Sequence, residues 1–484
     1  MLARLKEFVR GKLTHPDLDG EFNHYLTHIN RLLLTNPLDR DLDFNGFLAV
    51  NFRARQIFEV VNAVEFSSIQ EAIDSLGSTP GAVFIPPNTT FDESASITIP
   101  TDVALIGSGW TSIIRPAAAL VGAPLITTAD NSRCMLSNFK IDGNGVTTGA
   151  FPAVDATTTS GTDFRMENVW ITGWGAGATP ITTARHGVTT RGNSRARVTN
   201  CRFTSIRGSA VECGANGSSP AGFSQLVAQN EISTMFQHGI LAWTGNNVKV
   251  VDNQITGTDF SGIFLDANVN GTHECIDISD NQIQDTGNAG TSDFLAGGIV
   301  YDATGGIATN LKIHRNQLHD IGLAAGAGDA GRGIFVNMSV GASTLDGCSI
   351  KNNQLNLVTR TGIIIINSDS TAILRNLSID RNDVVDFASA SAAFSGIQVT
   401  RNPGAGTESI KNIGIRGNTV GLTSGTFTNG IVVQDDAGLL TATGLITGNH
   451  VFGTLTGHTI RTTNCPLVAI GVNSIPGDDN PLYT

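Results

Sequence analysis

The feature that most limits how this chain can fold is a phrase that it repeats. Val-Asp-Asn253-Gln-Ile255 is followed by a polar turn and Gly262-Ile-Phe-Leu-Asp266. Ser-Asp-Asn281-Gln-Ile283 leads through a longer turn to Gly298-Ile-Val-Tyr-Asp302, and Asn316-Gln-Leu318 leads to Gly333-Ile-Phe-Val-Asn337. Asn recurs in this register at 200, 230, 253, 281, 316, 353, 382, 418 and 449, at intervals of 23 to 37 residues. A helical repeat with intervals that elastic would rotate its apolar face out of the core, whereas a coil of strands absorbs the difference in its turns. A third alternating run stands before most of these Asn residues, as in Val248-Lys-Val250, Ile276-Asp-Ile278 and Leu311-Lys-Ile313. Three short strands per repeat close a triangular coil, and stacked coils make an all-β fold: the sequence predicts a right-handed parallel β-helix, with Ile240, Ile263, Ile299, Ile334, Ile363, Ile397 and Ile431 stacked inward.

The 55 glycines would suit a disordered chain if aliphatic residues were scarce. Here the Ile, Val and Leu keep period two, so the glycines belong to tight corners. A net charge of -12 argues against nucleic acid, whose binders need a basic face. Cys134, Cys201, Cys213, Cys275, Cys348 and Cys465 show no CxxC or zinc-type spacing and read as small core or turn residues. No metal or other cofactor is expected. No stretch is long and apolar enough to span a membrane, and Met1-Leu-Ala-Arg-Leu-Lys-Glu7 lacks the apolar run of a signal peptide. The expectation is a soluble protein made in a cytoplasm, with no membrane partner.

Residues 1 to about 35 are the strongly helical part. Leu18, Phe22, Tyr25, Ile29 and Leu32 follow one another at heptad-like spacing, which suits either a short coiled-coil seam or a helix packed on its own domain. Asn36-Pro37 ends that pattern. The stretch from Asp17-Leu-Asp-Gly-Glu-Phe-Asn23 through Asp41-Leu-Asp-Phe-Asn-Gly46 resembles the short N-terminal segments of bacteriophage tail fibre and tailspike proteins. That resemblance implies a segment, residues 1–60, that attaches to a phage tail or baseplate protein. It also implies a virion location, synthesis in the host cytoplasm, and action at the host cell surface.

Phe66-Ser-Ser-Ile-Gln-Glu-Ala-Ile-Asp74, Gly81-Ala-Val-Phe-Ile-Pro-Pro-Asn88 and Ile97-Thr-Ile99 through Leu105-Ile-Gly-Ser-Gly109 resemble the opening of pectate-lyase-type β-helices. In those proteins a short helix covers the mouth of the first coil. Gly107-Ser-Gly109 lacks the following helix and acidic partner of a dinucleotide loop, and reads as a turn. The expected organisation is 1–60 for attachment, 61–96 for the helix-capped opening, 97–475 for the β-helix proper and 476–484 for a tail.

Anchoring each coil on the Gly that opens its last strand places the fourth residue after it in one outward column: Arg191, Glu212, Trp243, Asp266, Asp302 and Asn337, then Ile366, Thr400 and Gln434. Side chains on successive coils lie about 4.8 Å apart. Retaining glycosidases hold two carboxyls about 5–5.5 Å apart and inverting ones about 6.5–9.5 Å apart, so neighbouring and next-but-one coils match the two spacings. Asp266, Asp302 and Glu212 are therefore the candidate catalytic carboxylates. Trp243 is the candidate stacking platform, and Arg191 and Asn337 mark the ends of the groove. Plainer readings stand beside these: a solvated acidic edge, Trp243 buried under a loop or subunit, and Asp285 and Asp320 as turn formers. His186, His238, His273, His314 and His319 read as scattered over different columns. The polygalacturonase motif set is missing, its nearest fragments being Arg-His-Gly187, Gln-His-Gly239 and Asp435-Asp436, and no pectate-lyase calcium cluster is present. Two functions remain: a tailspike-like protein that binds and cleaves a bacterial surface glycan, or a tail appendage that binds or holds without cleaving. A second outward column, Leu241, Phe264, Val300, Phe335 and Ile364, is bulky and apolar, which predicts either a homotrimer or a loop folded over it.

Overall fold

The computed structural model describes residues 59–474 except 118–122, 130–132, 144–150, 159–162, 176–184, 215–223, 244, 268–271, 288–295, 304–306, 323–330, 339–343, 368–372, 388–393, 402–409 and 436–441, together with two short strands nearer the N-terminus. It divides into two units, residues 1–59 with 78–81 and residues 60–77 with 82–484. In the first, Leu42–Phe44 and Phe47–Ala49 pair antiparallel, with Phe44 opposite Phe47. The expected helix and heptad seam before residue 36, and the tail from 476, lie outside the described residues.

The second unit is a right-handed parallel β-helix. Helix Ile69–Ser75 opens it, at the stretch from Phe66 that resembles a helix-capped opening. The Ser68 hydroxyl accepts from the Glu71 N–H, and Ile69, Ala72 and Ile73 are buried. The first backbone donor of this helix, Ile69 N–H, reaches the buried Glu93 carboxylate at 2.9 Å. The mouth of the stack is thus closed by an amphipathic face and a satisfied helix end.

Gly81–Ile85, Thr89–Glu93 and Ile97–Ile99 form the first coil, and each pairs in parallel with its counterpart in the next coil. The first full coil thus spans residues 81–99 and overlaps the 61–96 opening expected to lead into the stack. Two of the three sheets hold 13 strands each. In the third, some coils contribute two short strands, such as Thr272–Glu274 and Asp277–Ser279. The sheet that runs from Ile97–Ile99 to Ile460–Thr463 carries both outward columns and is called the site sheet below.

The predicted isoleucine column is in register and fully buried, from Ile240 through Ile263, Ile299, Ile334, Ile363 and Ile397 to Ile431. The glycine before each isoleucine answers a close approach at the corner. A Cβ at Gly262 would lie 2.4 Å from Ile283 Cγ2, and one at Gly362 would lie 2.2 Å from Val384 Cγ1. The repeating Asn residues form a buried ladder. Each side-chain amide, from Asn230 through 253, 281, 316, 353, 382, 418 and 449 to Asn473, donates to the carbonyl oxygen of the next at 2.9–3.0 Å. Asn200 is the exception. It holds φ +54° in the left-handed column that precedes the ladder, and Cys201 occupies the ladder position, its N–H donating to Asn230 Oδ1 at 2.9 Å.

All six cysteines are free. Cys275 is exposed at a turn with φ +57° and the other five are buried. Burial pushes the thiols of Cys201, Cys213 and Cys348 up to about 12, so they act as small apolar groups.

Candidate functional site

The outward column of the site sheet runs Gly214, Trp243, Asp266, Asp302, Asn337, Ile366, Thr400 and Gln434 in strict parallel register, with Arg191 on the coil before Gly214. Glu212 does not belong to it. It pairs with Thr189 and Leu241, two residues earlier along the strand. The reason is Ala210, which fills the small-residue corner that Gly fills in the later coils, so that Gly208 is not the anchor it resembles in sequence.

Glu212 is only 5% exposed and both of its oxygens are engaged. The Trp243 indole N–H donates to Oε1 at 2.7 Å, and Arg191 NH1 lies 3.6 Å from the same atom. The Thr189 hydroxyl donates to Oε2 at 2.9 Å, and His186 Nε2 lies 3.7 Å from it. The Arg191 guanidinium also sits over the Trp243 ring, 4.7 Å from its centre. Glu212, placed by the sequence among the catalytic carboxylates, is thus an anchor beneath the surface that fixes the indole and the guanidinium. Trp243 itself is half-buried and lines an open cleft, so neither burial under a loop nor full exposure describes it.

That cleft has a volume of about 220 Å³. Leu241 and Phe264 form its floor, Trp243 and Asp266 stand on successive rungs along one side, and Gln237, His238 and Phe260 come from the corner before the strand. The His238 ring lies flat on Phe264, with centres 4.6 Å apart and planes 13° apart. Its Nδ1 accepts the Ser261 N–H at 3.2 Å, which leaves the ring proton of the neutral form on Nε2. His186 repeats the arrangement two coils away, its Nδ1 accepting from the Ser209 N–H at 3.1 Å. His186 and His238 therefore share one column, alternating with Ser209 and Ser261, which corrects the expectation of scatter for these two, while His273, His314 and His319 lie in other columns. The sequence signal was the pair Arg-His-Gly187 and Gln-His-Gly239, but a two-coil spacing is legible only once the coils are in register. Burial is the main cause that lowers both pKa values. Glu212 opposes it and Arg191 adds to it at His186, and His238 is carried down to about 3 with a further push from His186.

Asp302 lies on the rung after Asp266 and is 7% exposed, with Oδ1 accepting from the Asn337 amide at 2.7 Å. Asn337, expected at the groove end, is 5% exposed and holds Asp302. Arg191 holds the Trp243 end. Asp285 and Asp320, read as turn formers, instead lie within strands Gln282–Thr286 and Gln317–Ile321, as left-handed residues with φ of +51° and +56°. Among the described residues, no group of three or more His, Cys, Asp or Glu side chains is placed to hold a metal.

The apolar column beside the cleft is covered. Leu241, Phe264, Val300, Phe335 and Ile364 form a second buried cluster in which no member exceeds 9% exposure within a single chain. The Arg332 guanidinium sits over Phe335 at 4.4 Å, as His238 does over Phe264. This row offers no open apolar face to another subunit.

A family model described as a right-handed β-helix region matches residues 125–353. No curated protein matches the sequence. Solved structures with a similar fold include a mannuronic acid-specific polysaccharide family 6 lyase from human gut microbiota, at 11% identity and TM-score 0.48, covering 82% of this chain and 86% of that one. PfbA, a surface adhesin of Streptococcus pneumoniae, shares 12% identity at TM-score 0.46 over 83% and 92% of the two chains. A family 28 exopolygalacturonase of Yersinia enterocolitica shares 13% at TM-score 0.44 over 88% and 79%. The likeness is one of fold.

Proposed function

We propose that this β-helix binds a bacterial surface polysaccharide along the site sheet and hydrolyses it at the cleft, with Asp266 at the reacting bond. The observation that carries the reading is the placement of an indole and a carboxylate on successive rungs of one rigid sheet, both lining the same cleft. An aromatic face holds the apolar side of a sugar ring while a carboxylate engages its hydroxyls or the glycosidic oxygen. Asp302, one coil on, is the second carboxylate at the separation of about 5 Å that suits a retaining mechanism through an oxocarbenium-like transition state. Glu212 serves as a positioning residue for Trp243 and Arg191. The virion setting, as a tailspike-like protein attached through residues 1–60 and acting at the host surface, rests on the resemblance of Asp17 through Gly46 to phage tail proteins.

A second reading, binding without cleavage, is favoured by one specific feature: Asp266 is the one carboxylate that lines the cleft among the described residues, while Asp302 is engaged by Asn337. Incubation of the protein with purified host surface glycans, followed by an assay for new reducing ends, separates the two. The hydrolase reading expects reducing ends from the wild type and none from Asp266→Asn, with glycan binding retained. Binding with no reducing ends from either protein would leave the appendage reading in its place.

A further inference from the structure

The cleft carries a chemical bias that narrows its ligand. Among the described residues that line it, none is a lysine or an arginine, and the charged one is Asp266. Arg191, two coils before Trp243, lies 3.6 Å from the buried Glu212 carboxylate and 4.7 Å from the centre of the Trp243 ring, so Glu212 balances its charge. Asp302 adds a second acidic group on the next rung. The remaining polar groups are uncharged: the Gln237 amide and the His238 imidazole, whose Nδ1 is occupied by the Ser261 N–H so that Nε2 carries the donor.

We infer that the sugar seated between Trp243, His238 and Asp266 is a neutral pyranose, and that the cleft rejects uronates. The inference deepens the glycan-binding reading above and rests on it. Hydroxyls suit this constellation, since they donate to a carboxylate, accept from a neutral imidazole N–H and exchange both ways with an amide. A ligand carboxylate would meet Asp266 with no lysine or arginine among the described lining residues to balance it and with Arg191 already paired to Glu212, and like-charge juxtaposition is a strong device for rejecting a competitor. Because His238 is held neutral well below physiological pH, it supplies no positive charge at the pH of binding.

The test is an array of matched oligosaccharides, with galactose against galacturonate, mannose against mannuronate and glucose against glucuronate, probed with the full chain. Neutral members are expected to bind at least about tenfold more tightly than their uronate partners. Their affinity should change little between low and high salt, because no ion pair forms. Asp266→Asn is expected to narrow the gap by admitting the uronate, while Trp243→Ala weakens both. Preference for a uronate, retained in Asp266→Asn and lost in Trp243→Ala, overturns the neutral-sugar inference and leaves the glycan site standing. Binding to no glycan by protein with an intact β-sheet circular dichroism signal overturns both.

Discussion

Single side chains on the site sheet divide into those that face the cleft and those that hold them. Glu212 belongs to the second kind, since four groups from the two coils on either side converge on its two oxygens. Glu212→Gln is expected to raise KM severalfold by loosening Trp243 and Arg191 while leaving kcat within about twofold, the pattern of lost binding without lost transition-state stabilisation. A fall in kcat at constant KM would give Glu212 a proton-transfer role instead. The histidine column makes stability depend on pH with a defined sign. His186 and His238 are neutral in the fold, with pKa values held below that of an unfolded histidine, so the unfolded chain binds more protons as the pH falls below about 6.5. Each such histidine lowers stability by up to about 1.4 kcal/mol per pH unit between the unfolded and folded pKa values. Thermal midpoints measured from pH 7.5 to pH 4.5 should fall in the wild type and fall less in His238→Gln. Equal slopes would show that other groups carry the acid sensitivity.

At the level of elements, the coils are joined by an apolar column and an amide ladder that fail differently. Ile299→Ala empties a fully buried position between Ile263 and Ile334 and is expected to cost about 2–5 kcal/mol. Asn316→Ala removes the acceptor for both the N–H and the side-chain amide of Asn281, and the donor to Ile278 O and Asn353 Oδ1. Each buried group left unmet costs about 1–3 kcal/mol, so a loss of at least about 2 kcal/mol is expected. Asn473→Ala, at the exposed end of the ladder, should cost less than half of that, since water can replace it. Urea midpoints of the three variants check the ranking, and an equal loss at Asn473 and Asn316 would contradict it. Alternating aliphatics and the recurring Asn were legible in the sequence because each coil repeats the same local chemistry. The offsets at Asn200, one residue from the ladder position, and at Gly208, two residues from the corner, were not, because an Asn or a Gly reads the same in a string wherever the corner falls.

For the β-helix as a whole, the question of assembly turns on the row Leu241, Phe264, Val300, Phe335 and Ile364. Its burial within one chain removes it as the apolar contact surface of a trimer, and a trimer, if formed, uses other surfaces. Phe335→Ala is therefore expected to lower the thermal midpoint, at a cost of about 3–5 kcal/mol, without changing the mass found by sedimentation at micromolar concentration. A drop in mass with the midpoint unchanged would return this row to a subunit interface. The three-strand coil, the direction of its isoleucines and the column from Trp243 to Asn337 were all determined by the sequence itself. They follow from period-two alternation and from a repeat that restores the same register in every coil. Only the tertiary structure decided that Glu212 lies beneath the surface, that Asp302 is engaged by Asn337, that His186 and His238 share a column, and that the apolar row is covered. Each of these depends on a group from another coil or corner, brought near through turns of variable length, and turn length carries no period from which such a contact can be read.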